Sequence, residues 1–244
     1  METKGISIEE RQGADRRSKG LPGWKRALDF GLILLLLPAV LLIGLAVALI
    51  IKLGSSGPVF FRQKRVGYRG REFTCFKFRT MRVNAETDTH RLHTQQLMKS
   101  CTPMIKLDSR DPRVIPFGVV LRASGLDELP QLLNVLRGEM SIVGPRPCVL
   151  YEYEQYEPWH RRRFDAVPGL TGLWQVSGKN RTTFDEMVYL DIEYADQKSL
   201  WLDISIMLRT FSAIWTQYCD VRAARSRPAS AAPQLTKAVE SFRL

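Results

Sequence analysis

Histidine and cysteine are scarce in this chain, with three and four copies among 244 residues. Cys75, Cys101, Cys148 and Cys219 are scattered and form no C-x-x-C pair. That spacing argues against a zinc site or a disulfide framework and fits reduced thiols in a cytosolic domain. His90 and His93 form an isolated pair in a polar stretch and read as solvated surface. There is no H-E-x-x-H, and no nucleophile-elbow sequence stands near a histidine. The glycine motifs that cradle phosphates, G-x-x-x-x-G-K-[ST] and G-x-G-x-x-G, are absent, so P-loop and dinucleotide readings have nothing to rest on. No D-x-D pair occurs, although many enzymes that use nucleotide sugars hold their metal with one. No repeat of solenoid period is present.

Basic residues, in contrast, are abundant. Lys and Arg number 36 against 25 Asp and Glu, a formal net charge of +11. This balance calls for an anionic partner: nucleic acid, an anionic membrane surface or a phosphorylated substrate. No recognised nucleic-acid module appears, which argues against the first.

One long apolar run is also present. Residues 1–22 are polar and charged and read as a flexible leader. Within 23–53, no charge occurs from Phe30 to Ile51. As a helix that stretch would be ~33 Å long, enough for the hydrocarbon slab. Pro38 sits near its middle and is expected to kink or break the helix. Both flanks are basic, with Lys25 and Arg26 before the run and Lys52, Arg62, Lys64 and Arg65 after it. A spanning helix usually keeps its positive flank on one side. Two readings stand: a kinked spanning anchor, or a re-entrant helix broken at Pro38 that enters and leaves at one face.

Residues 54–220 form the expected catalytic domain, α/β and mainly helical with a small irregular sheet. Around Gly57, Gly67 and Gly70, apolar and basic residues alternate as in short strands. Residues 84–113 read as polar and irregular. A helix is expected over 127–137, stopped by Gly138. IVGPRP reads as a rigid loop, 151–165 as helical, and VPGLTGLWQVSGKN as a glycine-rich loop leading into a helix. From Leu200 to Trp215 a broad apolar face with two tryptophans suits either the core or a membrane interface. Residues 221–244 are rich in Ala, Ser, Pro and Arg and read as a disordered tail.

Within RASGLDELPQLLNVLRGEMSIVGPRP, Asp127 and Glu128 stand side by side between Arg122 and Arg146. Acidic residues favour the first turn of a helix, and Ser124-x-x-Asp127 resembles a capping arrangement. The same pair could instead bind Mg²⁺ through hard oxygens, or supply a nucleophile toward phosphorus. Arg122 and Arg146 have the planar fork that grips phosphate oxygens. Such an ensemble suits phosphoryl transfer, where catalysis is mostly positioning and charge neutralisation.

Five segments, KRALDFGLILLLLPAVLLI, GPVFFRQKRVG, FKFRTM, LRASGLDELPQLLNVLRGEMSIVGPRP and VPGLTGLWQVSGKN, together resemble the bacterial sugar transferases known as monotopic phosphoglycosyl transferases. The likeness covers about residues 24–215. It implies transfer of a sugar-1-phosphate from a UDP-sugar to undecaprenyl phosphate, with UMP released and Mg²⁺ required. It implies a ping-pong route through a phosphosugar on the aspartate matching Asp127, with Glu128 as its partner and both near the metal. The family's substrate-site residues match Lys77, Arg122, Pro145, Arg146 and Pro147. Its re-entrant helix breaks at a proline often preceded by serine; here the pair is Leu37-Pro38. The resemblance places the enzyme in the bacterial inner membrane, with the catalytic domain at the cytosolic face. Inner-membrane lipid is thus a partner, nucleic acid is not, and a homo-oligomer is left open. The rival from another class is a basic, non-catalytic membrane scaffold.

Overall fold

A computed structural model describes residues 20–83, 88–100, 102–104 and 113–226 of the chain. The leader up to residue 19, the tail from 227, Cys101, and the side chains of His90 and His93 lie outside the described residues.

Helix α1, Gly23–Gly54, carries Pro38 inside it and continues through it. It is the one helix among the described residues that is long and apolar enough to cross a membrane. Among the described residues, its two end portions are what pack on the rest of the chain. Near the start, Ile33 joins a core cluster with Phe73, Cys75, Val135 and Met140. Near the finish, Val47 and Ile51 join another with Phe78, Ile115 and Leu121. The leucines and isoleucine between, from Leu34 to Ile43, are exposed.

The expected hairpin forms from β1, Phe60–Val66, and β2, Glu72–Phe78, which pair antiparallel with Phe60 opposite Phe78 and Val66 opposite Glu72. Its turn passes through the left-handed region at Arg69 and Gly70. The stretch expected to be irregular contains α2, Asp88–Lys99. No glycine or proline falls within it, so nothing breaks the helix, and its polar composition hid it. A further short helix, α3, Gly118–Ser124, precedes the acidic pair.

The single helix expected over 127–137 is two pieces. A 3-10 turn, Leu126–Gln131, leads into α4, Leu132–Arg137. Pro130 has no N–H to give to an α-helical ladder, which suits the tighter turn. Ser124 caps nothing ahead of it; its hydroxyl donates back to Val120 and Leu121 of its own helix. Gly138 ends α4 in the left-handed conformation, as expected. Asn134, fully buried, clips α4 to β2. Its amide donates to the Thr74 carbonyl at 2.7 Å, and its oxygen accepts the Phe76 N–H at 3.2 Å.

IVGPRP begins as a strand, β3, Ser141–Val143. The region read as helical over 151–165 is interrupted. It holds α5, Leu150–Tyr153, then a 3-10 turn, His160–Asp165, with Pro158 between. The glycine-rich segment supplies β4, Gly169–Thr171, parallel to β3, and α6, Leu173–Val176. α7, Phe184–Gln197, starts at a capping box between Thr183 and Glu186. The last helix is α8, Leu200–Ser226.

Among the described residues the fold is therefore mainly helical with two separate two-stranded sheets. α8 has two different faces. Asp203 and Ile206 are buried against the domain, whereas Trp201 is 79% and Phe211 75% exposed. Trp201, Leu208, Phe211, Trp215 and Tyr218 recur at seven-, three- and four-residue intervals and so make one apolar stripe that the domain does not cover.

Candidate active site

Strand β2 delivers the first functional side chain by its period of two. Phe73 and Cys75 point into the core, and Lys77 comes next on that face, where β2 leaves the core. Gly125, in the left-handed conformation, turns the chain between α3 and the 3-10 turn, bringing the acidic pair up to β2. There the Lys77 Nζ meets Glu128 Oε1 at 2.7 Å. Asp127, 8% exposed, is the more buried of the two carboxylates.

The opposite wall is the Pro145-Arg146-Pro147 loop. Its seat is the β3–β4 seam, where backbones touch so closely that side chains are excluded. A Cβ on Gly144 would lie 2.2 Å from the Val167 carbonyl oxygen, and one on Gly169 would lie 2.1 Å from the Gly144 nitrogen. The Gly169 N–H donates to Pro145 O at 2.9 Å and anchors the loop. Between the two walls is a small pocket lined in part by Arg65, Lys77, Glu128, Gln131, Arg146 and Gln175.

The electrostatics favour an anion. Burial, and then the neighbouring Arg146 charge, push the Arg65 guanidinium below its usual value. Lys179 lies beside the pocket. Burial pushes its ammonium down; Glu128 and Asp127 oppose that, while Arg146 and Lys77 add to it. Each shift marks a cation short of negative charge in a poorly hydrated place. Arg65, Lys77 and Arg146 line this pocket together with Glu128, and Lys179 feels the charges of both Glu128 and Asp127. A phosphate group between them would relieve both shifts.

The structure brings together Lys77, Glu128, Arg146 and Pro147, with Asp127 adjacent in the chain. Pro145 stands behind the pocket as a backbone anchor. Arg122 is not part of the lining. Its Nε donates to Thr80 Oγ1 at 2.9 Å, and its carbonyl accepts from Gln217 at 3.3 Å. Arg65, Gln175 and Lys179 were not singled out in the sequence. Arg65 is one of three basic residues of β1, and only the strand's facing distinguishes it. Lys179 had a subtler signal, a lone cation after glycine in a glycine-rich segment, where it adopts φ 41°.

No cluster of three or more His, Cys, Asp or Glu side chains placed to hold a metal occurs among the described residues. Carboxylates such as those of Asp127 and Glu128 are the hard oxygen donors that Mg²⁺ takes one or two at a time, with water and substrate phosphates completing its shell.

Comparison with known proteins finds relatives over most of the chain. ExoY, an exopolysaccharide production protein of Sinorhizobium fredii, is 39% identical over 219 residues, 87% of this chain and 93% of ExoY. Galactosyl transferase CpsE of Streptococcus agalactiae is 46% identical over 159 residues, 65% of this chain and 35% of CpsE. The UDP-glucose:undecaprenyl-phosphate glucose-1-phosphate transferase of Xanthomonas campestris is 44% identical over 174 residues, 68% of this chain and 33% of that protein. The chain therefore spans nearly all of ExoY and about a third of the other two. The profile of the bacterial sugar transferases matches residues 21–217, a stretch that includes α1, the acidic pair and the loop of Arg146. On these grounds the chain belongs to the bacterial sugar transferase family.

Proposed function

We propose that this protein moves a sugar-1-phosphate from a UDP-sugar to undecaprenyl phosphate and releases UMP, a membrane step that begins glycan assembly. One observation carries the reading: Glu128, ion-paired to Lys77, opens on a pocket walled by Arg65 and Arg146, and Asp127 is its neighbour in the chain. The Xanthomonas relative is named for this kind of transfer.

The chemistry follows from the charges. Asp127 attacks the β-phosphorus of the UDP-sugar, forming an Asp Oδ–P bond as the P–O bond to UMP breaks. Arg146 and Arg65 steady the phosphate oxygens in a poorly hydrated place, where fixed cations act most strongly. Lys77 holds Glu128, and the Lys179 charge acts on both carboxylates. The undecaprenyl phosphate oxygen then attacks the same phosphorus, and Asp127 leaves as a free carboxylate. Mg²⁺ held by Asp127 and Glu128 would supply charge neutralisation at the diphosphate.

This acceptor is lipid-bound, so the pocket must sit at the bilayer surface. Two features support that placement. The uncovered stripe of α8 carries Trp201 and Trp215, a residue type favoured at the membrane interface. Both ends of α1 pack on the same domain, whereas a helix crossing a ~30 Å hydrocarbon core would carry one end to the far side. This supports reading the anchor as re-entrant, with its exposed middle in lipid and the domain at the cytosolic face of the inner membrane, where the basic surface would meet anionic headgroups.

Two measurements test this reading. UMP release in the presence of undecaprenyl phosphate, scored over UDP-glucose, UDP-galactose and UDP-N-acetylglucosamine, is expected with at least one donor and to be lost without the lipid. No release with any donor would leave the scaffold reading in its place. In intact cells, a membrane-impermeant maleimide is expected to leave Leu21→Cys unlabelled until the cells are lysed. Labelling before lysis rules out the re-entrant anchor.

A further inference from the structure

The Pro145-Arg146-Pro147 loop has no regular secondary structure, yet every carbonyl from Pro145 to Cys148 is held. Gly169 N–H donates to Pro145 O at 2.9 Å, and Val66 N–H donates to Cys148 O at 2.9 Å. The other two acceptors are held by buried guanidiniums. Arg65 donates to Pro147 O at 3.0 Å, and Arg163 donates to Arg146 O at 3.0 Å.

Arg163 stands apart from the pocket. It is 1% exposed, on the 3-10 turn His160–Asp165, and does not line the site. The Nη2 that reaches the Arg146 carbonyl also meets Asp191 of α7, and Nη1 donates to the Tyr156 hydroxyl at 2.5 Å. Its Nε has no acceptor among the described residues, so the two terminal nitrogens set its aim.

Well-packed apolar side chains of similar volume often replace a buried ion pair at no loss. What an apolar replacement cannot do is hold the Arg146 carbonyl, and a lysine has no fork to reach a carbonyl, a carboxylate and a phenol together. We infer that Arg163, oriented by Asp191 and Tyr156, is a positioning residue that fixes the backbone of Arg146 and so aims its guanidinium at the donor phosphates. This inference rests on the proposed reading, in which Arg146 binds those phosphates. Support of this kind behind a contacting residue commonly decides how well it is placed.

The test is a double-mutant cycle on the full-length protein in lipid nanodiscs, using UDP-glucose or, if faster, UDP-galactose. KM and kcat are measured from UMP release, beside the thermal midpoint, for Arg163→Lys, Asp191→Asn, Arg146→Lys and the two combinations with Arg146→Lys. Arg163→Lys is expected to raise KM for the donor about tenfold and change kcat by less than about twofold. In the Arg146→Lys background the same substitution is expected to move KM by less than about twofold, because its target is already gone. Asp191→Asn should act in the same direction, more weakly, and be equally silent in that background. Should Arg163→Lys fail to fold, Asp191→Asn decides the matter. The inference is overturned if KM stays put while the midpoint falls, or if the single effects multiply in the double variants. A wild-type protein that turns over no UDP-sugar defeats the functional reading instead, before any variant is made.

Discussion

Asp127→Asn is expected to retain less than about a thousandth of wild-type UMP release, because asparagine keeps the shape of the side chain and loses the nucleophile. The same variant should lose a second signal. When the wild-type protein is incubated with the UDP-sugar and no lipid acceptor, a peptide containing Asp127 should gain the mass of a sugar phosphate. Intact-mass and peptide mass spectrometry read this directly. Glu128→Gln should be impaired but should still form the adduct, since Glu128 is the residue tied to Lys77 and not the attacking group. An adduct on any other residue, or more than about a tenth of activity in Asp127→Asn, would falsify the assignment.

The second large effect concerns stability. Lys25, at the start of α1, donates to the Tyr194 hydroxyl at 2.8 Å and makes an ion pair with Asp203 of α8. That hydroxyl in turn donates to the other oxygen of Asp203 at 2.7 Å. All three side chains are buried. Lys25→Met leaves a buried carboxylate without its counter-charge, a change that typically costs about 3–5 kcal/mol. Replacing both partners, Lys25→Met with Asp203→Leu, should recover most of that loss. Thermal unfolding in a fixed detergent checks this, with the two variants compared at equal protein concentration. Equal destabilisation in both would mean that the pair contributes packing alone.

Much of this architecture was legible along the chain, for identifiable reasons. The α1 run has no charge over its middle, and the β1–β2 hairpin alternates around glycines, so a local pattern dictates each. Gly138 stops α4 for a local reason as well. The misread parts depend on what lies across from them. The 3-10 turn under Asp127 follows from Pro130 and from packing on β2, and the leucines after the acidic pair gave a plain helical signal instead. β3 and β4 are three residues each and exist because they meet one another. α2 was hidden by polar composition. At the site, Lys77, Glu128 and Arg146 were recognisable from motif, whereas Arg65 becomes visible only as part of the folded pocket lining and Lys179 only beside Glu128 and Asp127.

The uncovered stripe on α8 bears on how such a protein can be handled. Cutting away α1 is the obvious route to a water-soluble fragment. It would leave Trp201, Phe211 and Trp215 facing water, and it would strip Asp203 of its lysine in the same stroke. Such a fragment should still require detergent and should clump without it, because the exposed apolar stripe of α8 remains once α1 is gone.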